Sequence, residues 1–190
     1  MKREYRNTAR TKRMIKAAFG DLLSSKKSIE KITVSELAEK ADIAKSTFYN
    51  HYDDVYAVAE EFENDILCSV SAVLDEIEKN SADDYEPYIS KLIDFMKINE
   101  DLYRKVISSG DVRFFIDKLK VLISKKIFTE STVLPFSKHA NERIVQIHLL
   151  TNACVDTVTD YFRGMFDISL DEVGRIILDF FDRLREQSEA

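Results

Sequence analysis

Apolar residues recur along this chain at intervals of three and four. Ile15, Ala18, Phe19 and Leu22 stand at i, i+3, i+4 and i+7, one face of a helix predicted over about Thr8–Ser24. Val34, Leu37, Ala38 and Ala41 repeat the rhythm over only two turns. They follow a capping box in which Thr33 is the N-cap and Glu36 the N3 partner. This helix must stop near Ala41-Asp42, with Ile43 expected to plug the turn. A second short helix, about Ala44 to His51, is predicted to send Phe48 into the core.

Asp53 is the next expected N-cap. Val55, Val58, Phe62, Ile66, Val70, Val73 and Ile77 keep a helical step as far as Lys79, a rod about 40 Å long. A polar break spans Asn80 to Glu86, and Pro87 suits the first turn of a helix carrying Tyr88, Ile89, Leu92, Ile93 and Met96. Glu100–Ser108 reads as a short helix closed by Gly110. Val112, Phe115, Ile116, Leu119, Leu122, Ile123 and Ile127 mark another. Thr129–Lys138, with Pro135, is the longest loop. A helix from about His139 to Arg163 stops at Gly164. The last begins at the capping box Ser169–Glu172 and runs to about Arg185, with Val173, Ile176, Ile177, Phe180, Phe181 and Leu184 on a wide apolar face. Nine helices and no strand pattern predict an all-α fold.

Composition narrows the classes further. Four Gly and two Pro in 190 residues cannot supply the turns of a β-sandwich or the glycine-rich loops of a nucleotide-binding α/β fold. The net charge of −6 hides an asymmetry. Residues 1–52 carry twelve Lys and Arg against six Asp and Glu, whereas the remainder carries a net −12. A basic head on an acidic body points to one end that meets a polyanion. Cys68 and Cys154 have no metal-ligand spacing and read as small buried thiols. Met1–Met14 lacks an apolar run and is no secretory signal, and no stretch approaches about 18 uninterrupted apolar residues. The expected location is the cytoplasm, with no membrane partner, metal or cofactor.

Thr33–His51 carries the chemistry. Two short helices across a tight turn have helix-turn-helix spacing, in which the second helix enters the major groove and the first braces it. Phe48 is the inward anchor. Lys45, Ser46, Thr47, Tyr49, Asn50 and His51 crowd hydrogen-bonding groups into about two turns. Lys can reach guanine, Asn can pair with adenine and the Thr methyl can meet thymine. Tyr49 and His51 suit phosphate oxygens, which set register without reading sequence. Lys2, Arg3, Arg6, Arg10, Lys12 and Arg13 crowd the start of the first helix against its dipole, a cost that a polyanionic ligand would offset, with a merely solvated tail as the alternative; of these, Arg6 and Lys12 are the candidate DNA contacts.

The order Ile32-Thr33-Val34, Leu37-Ala38 and Ala41, followed by Ser46-Thr47-Phe48-Tyr49 and His51-Tyr52, resembles the TetR (tetracycline-repressor-like) family of transcriptional regulators. The likeness is close over about residues 8–62, and beyond them it rests on the number and order of helices. The Tyr-rich stretch from Tyr88 to Val106, with the basic start, also resembles the branch of dihydroxyacetone-kinase regulators. The resemblance implies a homodimer with a DNA-binding domain at 1–52 and a ligand-binding and dimerisation domain at 53–190. Residues Thr33 and Ser35 and the helix Lys45–His51 would contact a palindromic double-stranded operator. The last two helices, about 139–186, would pair with their mates, and a small-molecule effector in the body would respace the heads. Two departures stand out. The family commonly has Gly where this chain has Asp42, which tolerates the left-handed region better than most residues. It commonly has a phosphate-contacting Lys where this chain has Val55, preceded by Asp53 and Asp54.

In the body, His148, Asn152 and Asp156 form an i, i+4, i+8 polar stripe. With Tyr103 they are the candidate effector-pocket residues; a solvated helix edge explains the stripe equally well. A His-Asn-Asp row is no metal set. Enzyme readings fail, because G-x-G-x-x-G, P-loop, H-E-x-x-H and G-x-S-x-G patterns are all absent, and Ser24-x-x-Lys27 arises readily by chance. The competing reading is a helical protein-interaction module, or co-regulator, whose DNA-binding head is weak or silent.

Overall fold

In the computed structural model, residues 2–78, 85–107, 113–129 and 136–189 are described, and these contain nine α-helices and no strand. Helix α1 (Lys2–Lys26) begins six residues before the predicted start. Its apolar stripe starts only at Ile15, but Lys, Arg and Glu are good helix formers, and Glu4 offsets part of the charge opposed to the dipole. Of the predicted face, Ile15, Ala18 and Phe19 are buried, while Leu23 takes the place expected of Leu22. A 3-10 turn (Ile29–Lys31), unforeseen in the sequence, leads into α2 (Val34–Lys40), α3 (Lys45–Tyr49) and α4 (Val55–Glu78).

The cap of α4 is a correction. Asp54, not Asp53, accepts the Ala57 backbone N–H at 2.8 Å, because the helix starts one residue later than its polar flank suggested. Cys68 is another. It is exposed, two positions off the buried stripe Phe62, Ile66, Val70 and Leu74, and so on the far side of the helix.

Helices α5 (Glu86–Ile98), α6 (Glu100–Ile107) and α7 (Arg113–Ile123) follow, the last running into a π-helical stretch, Ser124–Thr129. Helices α8 (Ala140–Phe162) and α9 (Leu170–Glu189) close the chain. Gly164, at φ 78°, ends α8: its N–H reaches the Tyr161 carbonyl and that of Met165 the Asp160 carbonyl. Positions 80–84 of the polar break, Gly110 and Pro135 lie outside the described residues. None of the described helices is long and apolar enough to cross a membrane.

The chain forms two compact units, residues 1–66 with 104–113, and residues 67–103 with 114–190. The division falls within α4 because its first turns belong to the head's core. In the first unit Ile15, Phe19, Leu37, Phe48 and Val58 are wholly buried, and the Phe19 and Phe62 rings meet edge to face at 5.7 Å. In the second, α9 packs on α5 and α8. Phe181 lies against the Tyr85 ring at 5.3 Å, and the Tyr85 hydroxyl donates to Asp182. Gly174 permits the close approach of α9 to α5, since a Cβ there would stand 2.9 Å from Ile93 Cγ1.

The turn between α2 and α3 shows how the head manages without glycine. Asp42 has φ 53°, its N–H donates to the Glu39 carbonyl, and the Ile43 N–H donates to the Ala38 carbonyl, both at 3.0 Å. These are the two bonds of a Schellman ending, with Asp in the left-handed position. Ile43, expected as a core plug, is only half-buried. Asp42→Gly is expected to keep or slightly raise stability in urea unfolding, whereas Asp42→Val should lower it by about 1–2 kcal/mol. Equal stability of the two variants would contradict this account of the turn.

Candidate nucleic-acid interface

Helix α3 has five residues, too few to persist alone, so packing must hold it. Phe48 does this. It is wholly buried, with Tyr49 edge-on at 5.6 Å and Tyr52 at 5.9 Å. Because Phe48 points inward, Lys45, Ser46, Tyr49 and Asn50 are exposed, and Thr47 and His51 half-buried. Among the described residues, the side chains of Lys45, Ser46, Thr47, Asn50 and His51 make no hydrogen bond or ion pair within the protein. Tyr49 meets the Phe48 ring and leaves 57% of its surface to solvent. Helix α3 ends at Tyr49, two residues short of the predicted Ala44–His51 helix, so Asn50 is its C-cap and His51 lies in the turn beyond; the hydrogen-bonding capacity of the six predicted residues is unspent among the described residues.

The predicted α2 contacts divide. Ser35 is exposed and unengaged among the described residues. Thr33 serves the helix: its Oγ1 accepts the Glu36 N–H at 3.3 Å and donates to Glu36 Oε2 at 2.8 Å, while the Thr33 N–H donates to the same carboxylate at 3.1 Å. Lys26 Nζ also reaches Glu36 at 2.6 Å.

The α1 candidates divide as well. Arg6 lies in α1, and its side chain is outside the described residues. Lys12 Nζ is bound to Glu61 at 2.6 Å and sits 5.0 Å from the centre of the Tyr52 ring. Lys16 bonds Glu61 at 3.2 Å and also Asp65. Partial burial pulls the Lys16 ammonium down, but the Asp65 and Glu61 carboxylates more than reverse this and hold it above its ordinary value. Burial, reinforced by the neighbouring Glu61 carboxylate, raises the Tyr52 phenol. The acidic partners of Lys12 and Lys16 lie on α4, so the pairing was invisible in the apolar period that defined α1.

In the body, Tyr103 is buried between the Phe95 ring at 6.3 Å and the Phe162 ring at 5.5 Å, and burial pushes its phenol up to about 12. His148 and Asp156 are exposed and Asn152 is half-buried. The group that ties the stripe together is one the sequence reading missed: Lys120 of α7, whose Nζ donates to Asn152 Oδ1 at 2.8 Å and pairs with Asp156 at 2.6 Å. A lysine on the preceding helix, 32 residues from Asn152, carries no periodic signal that could have revealed it. Among the described residues, no cluster of His, Cys, Asp and Glu could hold a metal ion.

The Glu36 carboxyl is held down to about 2 by the Lys26 ammonium and by the Thr33 hydroxyl and backbone N–H. This lies below the unfolded value of 4.5, so its stabilisation is complete above that pH and is lost as pH falls through about 2. Glu36→Gln should therefore flatten the pH dependence of stability in this window, and Thr33→Ala should cost about 1 kcal/mol at neutral pH. Thermal melts across pH 2–5 check both, and an unaltered acid limb in the Gln variant would refute the linkage.

No known family model matches the sequence, and no curated protein is significantly similar to it. Solved structures are. A TetR transcriptional regulator from Streptococcus agalactiae 2603V has a TM-score of 0.68 at 17% identity, covering 94% of this chain and 97% of that one. The dihydroxyacetone kinase operon activator DhaS has a TM-score of 0.62 at 22% identity, covering 94% and 96%. The likeness is one of architecture: this chain has the all-helical fold of a TetR transcriptional regulator.

Proposed function

We propose that this chain is a sequence-specific DNA-binding transcriptional regulator that acts as a homodimer on a palindromic operator. The observation that carries the reading is α3 with the turn that follows it: Lys45, Ser46, Thr47, Tyr49, Asn50 and His51, unengaged by other elements among those described, are presented by a short helix anchored through Phe48. An interaction module with a silent head would not need this concentration of unspent donors and acceptors. The fold shared with a TetR transcriptional regulator and an operon activator supports the same reading. Lys45, Ser46, Thr47 and Asn50 are assigned to base edges; Tyr49, His51, Ser35, Arg6 and the Thr33 region are assigned to phosphates.

The dimer is assigned to α8 and α9. Ile144, Val145 and Leu149 of α8 and Ile176 and Phe180 of α9 are all exposed, and large apolar side chains left exposed on two helices packed together favour a partner there. Regulation is read as repression relieved by a small molecule in the body, near Tyr103, His148, Asn152 and Asp156. Such an effector must favour a spacing of the heads that no longer fits half-sites about 34–36 Å apart, or a multiple of it. DhaS, named an activator, shows that the fold also serves the opposite sign.

Thr47→Ala is expected to weaken binding to a DNA selected from random sequence more than binding to random duplex, by roughly 1–3 kcal/mol of discrimination. Equal losses on both, measured by fluorescence anisotropy, would remove base reading from α3. Leu149→Asp with Phe180→Asp should convert a dimer to a monomer in sedimentation and abolish operator binding; a dimer that survives both would move the interface elsewhere.

A further inference from the structure

At one end of the body, the turn between α8 and α9 displays apolar side chains that the fold does not bury. Met165, Phe166 and Ile168 are 69%, 42% and 39% exposed. Turns ordinarily fill such positions with Gly, Asn, Asp or Ser. The turn is fixed at both of its ends. After the left-handed Gly164, the Met165 N–H donates to the Asp160 carbonyl at 3.0 Å. At the start of α9 the Ser169 N–H donates to Glu172 Oε2 at 2.8 Å, and the Glu172 N–H returns to Ser169 Oγ at 3.2 Å. The short backbone between two closed helix ends has little freedom, so its side chains are presented in set positions.

A fourth apolar residue stands at the same end. Helices α5 and α9 run antiparallel, with Tyr85 against Phe181, Ile93 against Gly174, and the Lys97 ammonium on both oxygens of Asp171 at 2.8 Å. The last contact sets the end of α5 beside the start of α9, and Ile98, next in the chain, is 80% exposed. The Tyr161 hydroxyl donates to Glu100 at 2.7 Å, which brings the start of α6 there too. This end is also negative. Its cations are engaged, Lys97 by Asp171 and Arg163 by Asp160. Lys97 is held above its ordinary value by Asp171 and, without direct bonds, by Asp94 and Glu100. Asp94, Asp101 and Asp167 are exposed, and among the described residues they make no hydrogen bond or ion pair. The patch is distinct from the apolar residues assigned to the dimer, since Leu149 lies about 20 Å along α8 from its last residue, Phe162.

We propose that Ile98, Met165, Phe166 and Ile168 form a docking surface for a basic amphipathic helix of another protein. The apolar face of that helix covers the four side chains, and its Lys or Arg residues meet Asp94, Asp101 and Asp167. Phe166 supplies a rigid anchor and Met165 an adaptable one. Charge selects this occupant. An anionic lipid surface is repelled by the same carboxylates, and a second copy presenting the same patch sets acid against acid. The surface is independent of the DNA-binding reading.

The test titrates the full-length protein against a labelled synthetic peptide of Leu and Lys whose Leu residues share one helical face. A scrambled peptide of the same composition is the control, and fluorescence anisotropy the readout. Wild type should prefer the amphipathic peptide. Met165→Ser with Phe166→Ser should weaken that binding by about 10-fold or more, with the melting temperature and the affinity for the scrambled peptide unchanged. Asp101→Asn with Asp167→Asn should reduce its salt dependence. Unchanged affinity in the Ser variant, or equal binding of both peptides by wild type, overturns the proposal. If the Ser variant instead lowers the mass of the assembly in sedimentation, the occupant is a second copy. If it instead loses binding to phosphatidylserine vesicles, the occupant is a membrane. Either result also overturns it.

Discussion

The burial of one side chain governs the head. A helix of five residues gains too little from its own hydrogen bonds to pay for its nucleation, so α3 exists because Phe48 is enclosed. That enclosure also sets its rotation about its axis. Every polar residue of α3 takes its exposure from the direction in which Phe48 points. The turn before it enforces the same result from the other side, since the left-handed Asp42 lets α2 end in a single residue and sends the chain directly into α3. Reading chemistry and packing are thus inseparable: the residues proposed to touch bases are placed by one that cannot.

Charge in the head is divided between internal and external use. Lys12, Lys16, Lys26, Lys40 and Lys105 each meet a carboxylate of Asp21, Glu36, Glu61 or Asp65. Most of these pairs are exposed enough to add little individually to stability. Their larger effect is subtractive. They remove cations from the field that a polyanion would feel, leaving Arg10, Arg13, Lys31 and Lys45 as the cations of the first 52 residues whose charge is not already answered among the described residues. The composition of residues 1–52 therefore overstates the head's attraction for a duplex, and its distribution matters more than its sum.

Much of this was legible in the sequence, for identifiable reasons. The capping boxes at Thr33–Glu36 and Ser169–Glu172 are local, and both form as read. The helices from α2 to α5 follow apolar periods that one element's neighbours cannot disguise. What escaped was either too polar or too distant. The first turns of α1 have no apolar stripe, so nothing marked them as helix. The capture of Lys12 by Glu61 and the binding of Asn152 and Asp156 by Lys120 join residues tens of positions apart, and no spacing rule reaches that far. Cys68 was misread because an apolar neighbourhood in sequence is not an apolar face: two residues along a helix reverse the direction of a side chain. In α9 the wide apolar face is legible from its period, and Ile176 and Phe180, on that face, are exposed.

The treatment of tyrosine gives the molecule an optical property of its own. With no tryptophan and eight tyrosines, its near-ultraviolet signal comes almost wholly from phenol rings. Tyr52, enclosed beside a carboxylate in the head, and Tyr103, enclosed among aromatic rings in the body, both resist ionisation, and they fall in different compact units. Each phenolate becomes favourable only when its surroundings admit water, so alkaline absorbance changes from these two rings would time the opening of head and body from within, without an added label.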